Sequence, residues 1–158
     1  MSKKELAPIS AIERVKRESR GLRGTISESL TDAITGQVRE DDTQVINFHG
    51  MYQQDDRDLR IERKRQNIEK AFIFMIRVRV PGGVSTSDQW LMMDELSETY
   101  GNKTIKLSTR QAFQLHGLIK KDLRKTIQIM HSKLMDSIAA CGDVNRNVMC
   151  NPDPEQSE

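Results

Sequence analysis

Residues 71–80, AFIFMIRVRV, alternate on a period of two. Successive side chains of a strand point to opposite faces, which puts Phe72, Phe74, Ile76, Val78 and Val80 on one face. Ile73, Met75, Arg77 and Arg79 share the other. Strong β-formers fill the segment, and Pro81-Gly82-Gly83 ends it. Ser85 then opens a predicted helix, with Asp88 three positions on as capping-box partner. Trp90, Met93, Leu96 and Tyr100 follow at helical spacing, as core residues, and Gly101 closes the helix. The two-residue period returns in KTIKLSTRQAFQLHGLIK, residues 103–120, which reads as two strands breaking near Thr109. Parity places Lys106, Ser108, Arg110, Gln114 and His116 on one side. Ile105, Leu107, Phe113, Leu115 and Ile119 take the other. Asp122 caps a further helix with an apolar stripe of Leu123, Ile127, Met130, Leu134 and Ile138. Gly142 ends it, and Val144 to Cys150 forms a last short strand.

Strand, helix, strand, strand, helix, strand is the order of the ferredoxin-like split βαβ arrangement, an α+β sandwich of one sheet and two helices. What precedes it has a different texture. Ser10 caps a short helix carrying Ile12 and Val15, stopped by Gly21. Ser27 caps another carrying Leu30 and Ile34, stopped by Gly36. Neither has an apolar face large enough to stand alone. Residues 37–70 add one apolar patch (Val45, Ile46, Phe48) and the sign-mixed run DDRDLRIERKRQNIEK, the pattern of a solvated face. This reads as an extended N-terminal arm that lies on something else, or is partly disordered in isolation. The expected organisation is an arm over 1–70, a ferredoxin-like half-domain over 71–150 and a truncated tail, NPDPEQSE, over 151–158.

Length allows one domain and not comfortably two. A net charge of +2 gives no global field for nucleic acid. No apolar run approaches the roughly 20 residues of a membrane span, and the N-terminus MSKKELAP has no apolar stretch of a secretory signal. A cytoplasmic chain with two ordinary reduced thiols is expected, since Cys141 and Cys150 form no metal-ligand spacing and cannot complete a four-ligand site.

The polar parity carries the candidate chemistry. Arg77 and Arg79 lie side by side on one strand face and repel unless an anion or carboxylates lie across them. Acidic residues of the arm are one candidate. The other is a bound oxyanion, for which guanidinium is the suited side chain. Lys106 and Arg110 extend the cationic face from a neighbouring strand, and Arg146, between Asn145 and Asn147, adds a donor from the last one. His116 is a structural histidine or a proton relay beside such a site; His49 is similar, and His131 reads as surface. No phosphate loop, zinc spacing or Ser-His-Asp order is present. Redox chemistry here would need a cofactor.

Four motifs come in order: HGMYQQDDRDLR (49–60), RVRVPGG (77–83), STRQAFQLHG (108–117) and GDVNRNVMC (142–150). Together they resemble the N-terminal part of the haemoprotein, or beta, subunit of assimilatory sulfite reductase, whose fold is shared with sirohaem-containing nitrite reductases. The resemblance runs from about Ile12 to the end. It implies six-electron reduction of sulfite to sulfide on sirohaem coupled to a four-iron, four-sulfur (4Fe-4S) cluster. QQDDRD looks like the type supplied by an NADPH-dependent flavoprotein (alpha) partner. Arg77 and Arg146 match arginines that face the substrate anion. Arg110, Gln114 and His116, with Arg79 and Lys106 on the same basic sheet, match the face toward the many carboxylates of sirohaem. The family's cluster cysteines and further substrate lysines have no match here, and Lys106 stands where some relatives carry arginine. The resemblance therefore implies a piece of the enzyme, inactive without the missing C-terminal portion. A non-catalytic remnant or interaction module is the alternative. A ferredoxin-like RNA binder is disfavoured because no aromatic lies on the polar parity for stacking.

Overall fold

The computed structural model describes residues 9–141, 145–151 and 153–156. Among them the chain runs α1 (Ala11–Glu18), α2 (Ile26–Thr31), α3 (Glu40–Phe48), β1 (Met51–Asp55), α4 (Arg60–Arg65), β2 (Phe72–Val78), α5 (Ser87–Thr99), β3 (Ile105–Leu107), β4 (Phe113–Leu118) and α6 (Leu123–Ser132). The four strands form one antiparallel sheet in the order β1-β2-β4-β3.

The segment β2-α5-β3-β4-α6 follows the split βαβ path, with β2 and β4 central. The edge beside β2 is held by β1, which precedes the motif, and not by residues 145–150, which have no regular structure. The expected last strand is thus absent over 145–150; Gly142 and Val144 lie outside the described residues. β1 was illegible because Met-Tyr-Gln-Gln-Asp shows almost no apolar alternation. Only Met51 points to the core, paired with Ile76. A cut at residue 70 would separate β1 from β2.

One sheet face is packed by α5 and α6. Phe74, Ile76, Val78 and Val80 meet Phe113, Leu115 and Leu118, with Met93 and Leu96 of α5 and Leu123 and Met130 of α6 above them. Full burial of each such side chain stabilises the fold by about 1.5–3 kcal/mol. Trp90, expected in the core, stays half-exposed and meets Phe113 edge-on at a centroid distance of 5.5 Å.

The parity of β4 breaks at its end. Phe74 pairs with Leu118, but Ile76 pairs with Leu115, so β4 carries one residue more than β2 between these pairs. Gly117 absorbs it at φ +81°. As a result Leu118 is fully buried and Ile119 is exposed, the reverse of the alternation.

The helix ends also shift. Ser10 caps α1 as expected, its Oγ accepting from the Glu13 N–H at 3.2 Å. Thr25, not Ser27, precedes α2, and Ile34 lies beyond it in solvent. The reason is Asp42, a buried carboxylate that accepts from the Thr25 N–H, the Thr25 hydroxyl and the Ser29 hydroxyl, tying the helix start to α3. Thr86, not Ser85, caps α5, with Gln89 completing the box. Asp122 stands at the start of α6 without a side-chain cap. That helix stops at Ser132, where Leu134 takes φ +57°, so Leu134 and Ile138 leave the apolar stripe and are exposed.

Candidate anion site

The sheet face away from α5 and α6 carries the cations. Arg77 of β2 stands opposite Gln114 of β4, which stands opposite Lys106 of β3, so the three form a row across three strands. His116 lies two residues along β4 on that face. The loop between β3 and β4 brings Arg110 beside the row. It is a tight turn in which the Ser108 hydroxyl accepts from the Arg110 and Ala112 N–H groups, and Gln111 takes φ +56°.

Arg146 arrives from a segment without ladder hydrogen bonds. It is positioned by its neighbour Asn147, which is 3% exposed. The Asn147 carboxamide oxygen accepts from the Val80 N–H at 2.9 Å, and its amide nitrogen donates to the carbonyls of Val80, Arg110 and Gln111 at 2.7, 3.0 and 3.3 Å. Farther on, the Gly82 N–H donates to the Val148 carbonyl and the Gln111 side chain to the Cys150 carbonyl.

Arg77, Arg110, Gln114, Arg146, Ser108 and Asn147 line one cavity of about 310 Å³. It unites four of the seven candidate site residues. Lys106 and His116 adjoin it on the same sheet face. Arg79 does not line it: its guanidinium reaches the Ile138 carbonyl at 3.4 Å. His49 donates from Nε2 to the Leu22 carbonyl at 2.7 Å and holds the arm, while His131 sits on the surface near Asp136.

Among the described residues no carboxylate lies within ion-pair distance of Arg77, Arg79, Lys106, Arg110 or Arg146. The acidic groups of the arm pair elsewhere, Asp55 with Arg60 for example. The Nε atoms of Arg77 and Arg79 are buried with no hydrogen-bond partner. Buried donors are normally satisfied, so the cavity has hydrogen-bonding capacity for an acceptor.

The neighbours respond to this charge. Burial, then Lys106 and Arg77, holds the His116 imidazole below the usual histidine range. It is therefore neutral near pH 7, with Nε2 3.2 Å from the Gln114 carboxamide oxygen. Burial pushes the Cys141 thiol up, against the opposite pull of Arg77, a Tyr52 hydrogen bond and Arg146. That thiol therefore stays protonated near neutral pH. No group of three or more His, Cys, Asp or Glu side chains among the described residues is placed to hold a metal ion. The sequence pointed to the arginines but gave no role to Asn147, whose only signal was its place beside Arg146.

A ferredoxin-like α+β sheet with an unneutralised basic face defines the class. Residues 65–133 match the family of the nitrite/sulfite reductase ferredoxin-like half domain. The chain is 58% identical over 151 residues to the sulfite reductase [NADPH] hemoprotein beta-component of Geobacillus thermodenitrificans, covering 96% of this chain and 26% of that one. It is 58% identical over 149 residues to the protein of the same name from Bacillus subtilis, covering 94% of this chain and 26% of that one. Its fold is similar to that of the Mycobacterium tuberculosis NirA protein, with a TM-score of 0.73 at 21% identity over 90% of this chain and 27% of that one.

The chain belongs to the nitrite/sulfite reductase family, as a homologue of the sulfite reductase haemoprotein beta-components. It spans about a quarter of the length of these relatives.

Proposed function

We propose that this chain forms the cofactor- and substrate-facing wall of a cytoplasmic sulfite reductase haemoprotein that receives electrons from an NADPH-dependent flavoprotein partner. The observation that carries this reading is the cavity where Arg77, Arg110 and Arg146 converge with no carboxylate in ion-pair distance among the described residues, one of them with a buried, unpartnered Nε. Names of relatives at 58% identity support the substrate class.

The donor set fits a polycarboxylate tetrapyrrole. Lys106, Arg110, Gln114 and His116 present cations and hydrogen-bonding groups along one face, and Arg79 keeps an unused Nε nearby. Sirohaem with its 4Fe-4S cluster would supply the electrons for reducing sulfite. In this reading Arg77 and Arg146 bind the sulfite anion, with a guanidinium fork matched to paired oxygens. Fixed positive charge there favours binding of the anion and stabilises negative charge that develops on its oxygens. His116, neutral beside two cations, holds one proton on its ring and hydrogen-bonds Gln114.

The test is to titrate purified chain into sirohaem, and into uroporphyrin as an iron-free polycarboxylate, while recording visible spectra with and without sulfite. A shifted, saturable band with both, weakened by Arg110→Ala, is expected. Bands identical to the free tetrapyrroles at saturating protein would overturn the cofactor role.

A further inference from the structure

We infer that Asn147 is the positioning residue that assembles the anion site, acting as a one-residue substitute for a strand. The proposal deepens the reading above, and its first measurement needs neither cofactor nor substrate.

Each of the three cavity arginines sits on a different segment. Arg77 is in β2, which ends just before Val80. Arg110 is at the β3–β4 turn. Arg146 is in the irregular segment 145–151. No regular ladder joins the third segment to the other two. Bonds from Gly82 to the Val148 carbonyl and from Gln111 to the Cys150 carbonyl tie the far end of the segment, and the Asn147 side chain supplies the connection next to Arg146. Toward Val80 it offers an acceptor to the N–H and a donor to the carbonyl, the pair of bonds that a neighbouring strand's peptide would give. The same amide nitrogen then reaches the carbonyls of Arg110 and Gln111. One carboxamide thus pins all three arginine-bearing segments.

The chemistry of the position is restrictive. The side chain is buried, and three carbonyls converge on its nitrogen, so that atom must be a donor. Asn147→Asp replaces the donor with an acceptor against three others and adds a buried negative charge next to Arg146. Asn147→Ala leaves Val80 and both turn carbonyls without their partner. In either variant the ladders of β2 and β4 keep all their bonds, because none of these involves Asn147. The consequence is local: Arg146 and Arg110 lose their fixed relation to Arg77 while the sheet persists.

The experiment uses the full chain. Arginine modification by phenylglyoxal, mapped by mass spectrometry, is compared for wild type, Asn147→Ala and Asn147→Asp, with the exposed Arg57 as internal reference. Arg146, half-buried in wild type, is expected to react roughly tenfold faster in both variants, the scale of losing one well-made buried hydrogen bond or more, while the exposed Arg57 and Arg110 are unchanged. Far-UV circular dichroism and amide protection of Ile76 and Leu115 report that the sheet is retained. A wild-type rate at Arg146 in both variants would overturn the inference. So would acceleration that extends equally to protection loss at Ile76 and Leu115, since that is global unfolding. A double-mutant cycle then separates positioning from general stability. If Asn147 acts through Arg146, Asn147→Ala weakens sulfite binding, read from arginine Nε–H resonances, about tenfold in wild type and much less in Arg146→Gln. Equal losses in both backgrounds would overturn action through Arg146. Absence of sulfite binding by wild type, with the modification pattern as expected, would defeat the substrate reading and leave the positioning role standing.

Discussion

At Arg77 a guanidinium is partly buried on a sheet face with its Nε unpartnered and no carboxylate within ion-pair distance among the described residues. A structural ion pair would make Arg77→Met strongly destabilising, by about 3–5 kcal/mol, because a partner charge would be stranded. No such partner exists among the described residues, so Arg77→Met should leave the melting temperature unchanged or raise it. In a full-length haemoprotein carrying this segment, Arg77→Ala and Arg146→Ala should each weaken sulfite turnover about tenfold or more, as expected for loss of a charge-assisted bond. Steady-state kinetics checks this; wild-type kinetics would remove both from the anion site. His116 gives a pH signature. Its folded-state pKa lies below the usual value, so the unfolded chain takes up a proton at a pH where the folded chain does not. Stability therefore falls as pH drops from the ordinary histidine pKa, about 6.5, toward the folded value. His116→Gln should flatten the urea midpoint across that window. An unchanged slope would show that the imidazole feels neither the burial nor its cationic neighbours.

Among the elements, β4 depends on Gly117. Its φ of +81° lets the strand take in one extra residue, and a Cβ there would meet the Cβ of Asn102 at 2.8 Å. Gly117→Ala should destabilise by about 1–3 kcal/mol, from left-handed backbone strain together with the close approach. Equilibrium urea unfolding measures it. Loss below a few tenths of a kcal/mol would mean that the bulge relaxes freely. The bulge has a functional side: it lets Leu115 and Leu118 both enter the core while Gln114 and His116 remain on the cationic face. Asn147 makes the complementary point for irregular chain. Where no strand forms, a single carboxamide can perform a strand's hydrogen bonding.

For the molecule as a whole, the arm and the half-domain share one sheet. Removing residues 1–70 takes Val38, Ile46 and Met51 out of the core and leaves the outer edge of β2 unpaired. Truncating one buried aliphatic side chain costs about 2–5 kcal/mol, against a typical total stability of roughly 5–15 kcal/mol. The 71–158 fragment should therefore lack cooperative thermal unfolding, whereas the full chain shows it. The cationic face is also a property of the assembled sheet, contributed by three strands and two loops. Its attraction for a polycarboxylate must then weaken with salt. Uroporphyrin affinity should drop steeply between 0.1 and 1 M salt, as the screening length falls from about 10 to about 3 Å. Salt-independent binding would mean that apolar contact, not this charge, holds the ring.

The sequence by itself determined which residues share a face wherever one strand face is apolar. Phe74, Ile76 and Val78 against Met75 and Arg77, or Leu115 against Gln114, follow from the fixed two-residue period of a strand. It also determined that Arg77 and Arg79 were unusual, because two cations side by side on one strand face repel, with Lys106, Arg110 and Arg146 as further candidates. Tertiary structure alone decided what periodicity does not encode. β1 became the edge strand because backbone hydrogen bonds to β2 do not require an apolar pattern. Leu118 displaced Ile119 because Gly117 admits a bulge. Ile34, Leu134 and Ile138 left their stripes because Asp42 fixes where α2 starts and a left-handed residue stops the turn after α6. The convergence of three distant arginines on one cavity uses the strand pairing of β2 with β4 and the bonds of Asn147, Val148 and Cys150 to Val80, Gly82 and the β3–β4 turn, long-range contacts that no local spacing records.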